Sequence, residues 1–154
     1  MTYQVKIAVT LRPVWHNDPP KIRIGIDDVL SEMTLTDTTT INFDVDAIDK
    51  CKLTIEFLNK TNQDTIPDQN LDKAVLIESV AFFGISDPRF VWAGIYEPNY
   101  PEPWATEQQN LGVVLHPQVT NCNYLSWNGT WTLTADVPVF TWIHKVQNLG
   151  WIFG

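Results

Sequence analysis

Basic residues are scarce in this chain. Ten Lys and Arg stand against eighteen Asp and Glu in 154 residues, giving a net charge of −8 and a pI near 4.6. So acidic a balance, with no basic stripe, argues against broad contact with nucleic-acid phosphate or with anionic membrane. Cysteine is nearly absent. Cys51 and Cys122 have no metal-type spacing, so neither a zinc module nor a disulfide scaffold is expected. Cys51 falls in an alternating apolar run, which predicts a buried free thiol. No apolar run reaches transmembrane length. The opening residues, Met1-Thr-Tyr-Gln-Val-Lys-Ile7, alternate like a strand and lack the pattern of a signal peptide. The expectation is a protein used without export.

Catalytic signatures are also missing. His16, His116 and His144 are scattered, and no two histidines share a metal-binding spacing. There is no GxSxG elbow, no GxGxxG and no Walker lysine. Carboxylate pairs for glycoside hydrolysis are a matter of spatial distance, which a sequence does not carry. The chain is read as non-enzymatic.

What is present is alternation of period two. Tyr3, Val5, Ile7, Val9 and Leu11 share one face of a strand, with Gln4, Lys6 and Thr10 opposite. Ile22, Ile24 and Ile26 repeat the pattern, as do Ile41, Phe43 and Val45, and again Cys51, Leu53, Ile55 and Phe57. Turn residues flank each run. Such spacing predicts an all-β fold, an antiparallel sandwich or barrel with one wet face, in one domain over residues 1–154. Residues 74–85 are apolar on both faces and read as a central strand covered on two sides. Toward the end the period changes: Val139, Trp142, Ile143 and Val146 fall on one helical face. Asp136 can cap, Pro138 suits a first turn, and Gly150 can end a helix. One short C-terminal helix over about 138–148 is expected, with Trp142 and Val146 toward the sheet; a strand is the alternative, since Val, Phe, Thr, Trp and Ile all favour sheet.

Two stretches between these elements carry chemistry. The first runs from Phe90 to Trp104 and sets five aromatics among Pro98, Pro101 and Pro103. Proline excludes a long helix or a central strand here. The reading is an ordered aromatic and proline loop over 94–110, with Trp92, Tyr96, Tyr100 and Trp104 as interface or ligand-binding candidates. The alternative for the same rings is a small satellite core folded over the sheet. The second stretch is the polar loop 58–73. Asp64, Asp68 and Asp72, with the amides of Asn62 and Asn70, are oxygen ligands of the kind calcium uses. The glycine and terminal glutamate of an EF-hand are missing, so a solvated loop is preferred over calcium, and no cofactor is called for.

Part of the chain resembles a known family. Leu53-Thr-Ile-Glu-Phe-Leu-Asn59, Asn70-Leu-Asp72 and the apolar run from Ile77 to Gly84 are similar to calcium-dependent xylan-binding carbohydrate-binding modules. That resemblance implies a jelly-roll sandwich in which Asp and Asn loops hold calcium against sugar hydroxyls. Residues 90–154 are different in style. Trp92-Ala-Gly-Ile-Tyr-Glu-Pro98, Tyr100-Pro-Glu-Pro-Trp104 and Trp127-Asn-Gly-Thr-Trp131 resemble small virion proteins of tailed phages, marine ones in particular.

From these readings the expected function is structural. The chain would be a virion component (a decoration, tail or fibre-associated subunit) made in the host cytoplasm, binding copies of itself or neighbouring virion proteins through the aromatic loop. The alternative is a carbohydrate-binding module whose rings stack on a polysaccharide. Nucleic acid and membrane are not expected partners.

Overall fold

The computed structural model describes residues 1–147. Strands β1 (Tyr3–Val14), β2 (Lys21–Ile26), β3 (Val29–Thr34), β4 (Thr39–Ala47) and β5 (Lys50–Phe57) come first. Two short 3-10 turns interrupt the polar loop before β6 (Ala74–Phe82) and β7 (Ile85–Ser86). Helix α1 (Pro88–Trp92), strand β8 (Ile95–Pro98) and helix α2 (Trp104–Asn110) follow. Strands β9 (Val119–Thr120), β10 (Tyr124–Leu125) and β11 (Gly129–Asp136) precede helix α3 (Val139–Val146). One sheet runs β10-β6-β1-β4, with β7 paired to β6. The other runs β3-β2-β5-β11-β8-β9. Every pairing is antiparallel. The expected antiparallel sandwich is therefore the fold.

Alternation decides which face of each strand meets the core. Val5, Ile7, Val9 and Leu11 of β1 are buried, as are Ile22, Ile24 and Ile26 of β2 and Leu53, Ile55 and Phe57 of β5. Trp131, Leu133 and Ala135 of β11 face them from beside β5. A fully buried side chain of this size contributes roughly 1.5–3 kcal/mol, so these rows carry the sandwich. Strand β6 shows why its sequence hides the period. Thr10 pairs with Ser79 but Leu11 with Ile77, which leaves Glu78 as the extra residue of a bulge. Val75 and Ile77 face the core before the bulge, and Val80 and Phe82 after it. What reads as apolar on both faces is one inner face shifted by a residue.

Several expectations need correction. Ile41 and Phe43 are only half-buried. Strand β4 is the edge of its sheet and β3 the edge of the other, so this flank of the sandwich stays open. A groove of about 480 Å³ runs along it, lined by Ile24, Met33, Ile41, Phe43 and Val45 among others. The helix at the C-terminal end is present but not alone. The stretch 94–110, expected as a loop, contains β8 and α2, and α1 lies just before it. Strand β8 has β11 on one side and the two-residue β9 on the other, so Pro98 closes a short inner strand rather than breaking it. Asp136 does not cap α3. It remains in β11 opposite Lys50, and Pro138 takes the N-cap position. Trp142 and Ile143 are buried and Val146 is partly buried. Gly150 lies outside the described residues.

Rings gather where the helices meet the sheet. The Phe82 centroid lies 5.4 Å from that of Phe90 and 5.2 Å from that of Trp142. Asp87 caps α1 by accepting from Arg89 N–H at 2.9 Å, and it accepts from Gln147 Nε2 at 2.8 Å, which ties α1 to the end of α3. Cys51 is buried and free, as expected, and burial followed by the Asp27 charge pushes its thiol up to about 11.

Candidate functional site

At one end of the sandwich three segments converge: the polar loop after β5, the turn before β11, and helix α2. Their meeting point is Trp127. Its ring centroid lies 4.7 Å from Trp104 and 6.0 Å from Tyr100, and those two are 6.1 Å apart. All three rings are half-buried. Such tilted and edge contacts fix each ring by its neighbours. Tyr100 is further held by donating its hydroxyl to the His116 carbonyl at 2.8 Å.

Beneath them lies Tyr96, 2% exposed. Its hydroxyl donates to the Trp127 carbonyl and accepts from the Trp127 N–H at 3.0 Å. Burial, only partly offset by the bond to Trp127, raises the phenol further above its ordinary value, so it stays neutral. Tyr96 is thus the backbone clamp for Trp127. The turn after Trp127 needs glycine: Gly129 sits at φ +154, and a Cβ there would lie 2.4 Å from the Glu97 carbonyl oxygen.

The wall opposite the rings is charged and internally paired. Asn128 grips the loop by both ends of its amide, accepting from Lys60 N–H at 2.7 Å and donating to the Lys60 carbonyl at 3.0 Å. Lys60 Nζ donates to Asp72 Oδ1 at 2.5 Å and to the Lys73 carbonyl at 2.6 Å, and lies 5.9 Å from the Trp127 ring centroid. Asp72 also accepts from Thr65 Oγ1 at 2.7 Å, Lys73 N–H at 2.8 Å and Tyr124 Oη at 2.7 Å. Burial alone would raise the Asp72 pKa. The bonds from Lys60, Thr65, Tyr124 and the Lys73 backbone outweigh it and hold the carboxyl below its ordinary range.

Deeper in the loop, Lys73 is 2% exposed. Its Nζ lies 2.8 Å from Asp18 Oδ1, 3.0 Å from the Asn59 carbonyl and 3.5 Å from Asp64 Oδ2. Asp64 accepts in turn from the Thr61 N–H and hydroxyl at 2.7 and 3.0 Å, and His16 Nε2 sits 2.7 Å from the Asp64 carbonyl.

Between rings and charged wall lies a cleft of about 440 Å³, lined by Lys60, Thr65, Asp72, Trp104, Glu107 and Trp127 among others. A smaller recess of about 210 Å³ shares Lys60, Thr61 and Trp127 with it. Half-buried aromatic faces beside hydroxyls and carboxylates can stack on an amphipathic ring and accept its hydroxyl hydrogens. Asp72 itself is tied by four donors and so is poorly placed to transfer a proton.

Of the expected ring set, Tyr100 and Trp104 line this end together. Tyr96 is core, and so falls to the satellite-core alternative. Trp92 ends α1, is 50% exposed, and has no partner among the described aromatic pairs. Of the expected acidic set, Asp72 faces the cleft, Asp64 is buried behind it, and Asp68 is exposed on a 3-10 turn. Sequence reasoning passed over Trp127, Lys60 and Asn128 as site residues. A signal existed: Trp127 precedes Asn128-Gly129, a turn dipeptide, and Lys60 and Lys73 bracket the acidic loop.

The residues do not fit calcium. Asp64 and Asp72 already hold hydrogen-bond donors and ammonium groups, and among the described residues no cluster of three His, Cys, Asp or Glu is arranged to hold a metal ion.

Comparison with known proteins gives fold neighbours and no more. No family model matches the chain, and no curated protein matches it. The carbohydrate-binding module vCBM60, solved in complex with galactobiose, is 13% identical, with 83% of this chain and 96% of its own covered, at a TM-score of 0.49. A selenomethionine form of vCBM60 is 13% identical over 84% of this chain and 89% of its own, at a TM-score of 0.50. That second structure was described as linking, by circular permutation, two families of calcium-dependent carbohydrate binding modules. What the chain shares with it is the β-sandwich.

Proposed function

We propose that this chain is a non-catalytic carbohydrate-binding module that takes a neutral glycan into the cleft beside Trp104 and Trp127. The carrying observation is the pair Trp104 and Trp127, 4.7 Å apart and backed by Tyr100, along a cleft that also presents hydroxyls and carboxylates. The fold likeness to vCBM60 supports the same reading. A neutral ligand follows from charge. The cleft's cation, Lys60, is engaged by Asp72, while Glu107 adds a negative charge to a chain already at −8. Uronate-rich polymers would be repelled. The virion reading draws no support from either fold neighbour.

Affinity electrophoresis through gels containing soluble neutral polysaccharides tests this directly. Retention by at least one of them is expected, with Trp104→Ala and Trp127→Ala each losing it. Stacking anchors of this kind cost about 2 kcal/mol or more on truncation. Mobility unchanged across a broad panel of neutral glycans would overturn the proposal.

A further inference from the structure

Two buried ammonium groups stand among the acidic residues that sequence reasoning offered to a metal. Lys60 and Lys73 are 5% and 2% exposed in their side chains. An ammonium has three N–H donors and prefers three acceptors. Lys73 Nζ meets them in Asp18, Asn59 and Asp64. Lys60 Nζ meets Asp72 and the Lys73 carbonyl, so the two lysines are bonded in series. The acceptors come from the segment after β1, the start of the loop, its middle and its end. A buried lysine persists only when paired in this way, and removing its partners is costly.

We infer that Lys60 and Lys73 are built-in counter-ions that do for the 58–73 loop what a divalent cation would do for a loop of unpaired carboxylates. They set two positive charges against the three carboxylates Asp18, Asp64 and Asp72 and tie the loop to the segment after β1. The cleft wall therefore forms without calcium, and ligand binding at that wall is independent of calcium. The loop half of this inference stands on the hydrogen bonds alone. The binding half rests on the carbohydrate reading above.

The test separates the two. Hydrogen exchange of the full chain is followed by mass spectrometry in chelator and in millimolar calcium chloride, together with thermal melting in both. Equal melting midpoints and equal protection of loop amides are expected. Lys73→Met should speed exchange of the loop amides about tenfold or more, in both buffers, while the β1 and β5 amides stay protected. Should Lys73→Met fail to fold, Asp18→Asn replaces it. Asp18 is largely exposed, and its loss should loosen the same amides to a smaller degree. A melting midpoint that rises with calcium, loop protection seen only with calcium, or loop exchange unchanged in the variants would overturn the inference. Gel retention is then read in the same two buffers. Retention in both agrees with the inference, and retention only with calcium overturns it while leaving the carbohydrate reading intact. Loss of retention in both sinks the carbohydrate reading, and the loop half is still decided by exchange.

Discussion

The loop 58–73 and the segment 94–110 face each other across the cleft, and they are ordered by opposite means. The first is polar, and lysine ammonium groups and side-chain hydrogen bonds hold it. The second is ordered by rings, prolines and short elements. In the first, Lys73 gathers Asp18, Asn59 and Asp64, and Lys60 gathers Asp72. In the second, Tyr96 is buried under Trp127, and Tyr100 and Trp104 pack beside it. A charge-ordered wall answers to pH and to the loss of a single counter-ion. A ring-ordered wall answers to lost contact area. A binding cleft assembled from both can offer polar acceptors on one side and apolar faces on the other.

The largest effect should come from unbalancing the charged wall. Asp64→Ala strips an acceptor from the Thr61 N–H and hydroxyl and takes a carboxylate from Lys73. A part-buried donor and a buried cation lose partners together, so a cost of about 2–4 kcal/mol is expected in urea denaturation, most of it from Lys73. A cost near zero would mean that Asp18 and Asn59 suffice and that the wall is less charge-dependent than its geometry indicates.

The matching change on the other wall is Tyr96→Phe. It keeps the ring and removes the hydroxyl that meets both the N–H and the carbonyl of Trp127. A loss of about 1–3 kcal/mol is expected. Glycan retention should weaken as well, because Trp127 loses its anchor. If stability falls and retention does not, Trp127 is positioned by Asn128 and Trp104 without help from below.

Acid should separate the walls without mutation. Asp72 has a folded pKa below its ordinary 3.8, since bonds from Lys60, Thr65, Tyr124 and Lys73 N–H exceed the effect of burial. Such a group binds fewer protons folded than unfolded near that pH. Its stabilisation is complete above the unfolded value and is lost as pH falls through the folded one. Residue-resolved NMR should therefore show the 58–73 amides loosening below about pH 4 before the Trp104 and Trp127 indoles move. Simultaneous loss would show the two walls to be one cooperative unit.

How much of this could be read beforehand depends on range. The alternation of β1, β2 and β5 was legible because each buried face repeats every second residue within one run. Strand β6 was legible as a strand but not in phase, because the bulge at Glu78 shifts the period and only the pairing with β1 reveals it. Strand β3 was missed: Val29-Leu-Ser-Glu-Met-Thr34 sits at the open flank, where only Leu30 and Met33 are half-buried. The aromatic stretch was legible as important and wrong in its division. Prolines mark a break in regular structure, yet they do not tell that Tyr96 turns inward while Trp104 turns to the cleft with Tyr100 packed beside it. Trp127 lies 23 positions beyond Trp104, and the pairing of β11 with β8 brings them together. The partners of the acidic loop were hidden for a similar reason. Asp64 and Asp72 were visible, but the lysines that claim them are recognised only once the loop is folded.

The smallest effect should be at Trp92, and its smallness is informative. Composition alone groups Trp92 with the cleft rings. The structure places it at the end of α1, half-exposed and absent from the Tyr100, Trp104 and Trp127 cluster. Trp92→Ala should change stability by no more than about 0.5 kcal/mol, as surface substitutions away from special features do. It should leave glycan retention as it is. Trp104→Ala, made beside it, removes a ring of the same kind from the cleft and should abolish retention, with a larger cost in melting temperature because Trp104 is half-buried against Tyr100 and Trp127. If Trp92→Ala weakens retention as much as Trp104→Ala, the glycan path runs over α1 as well, and the ring-ordered wall extends past the cleft. If Trp92→Ala instead shifts a sedimentation profile from larger species to monomer, that ring serves a contact between proteins, and the chain carries two distinct aromatic surfaces.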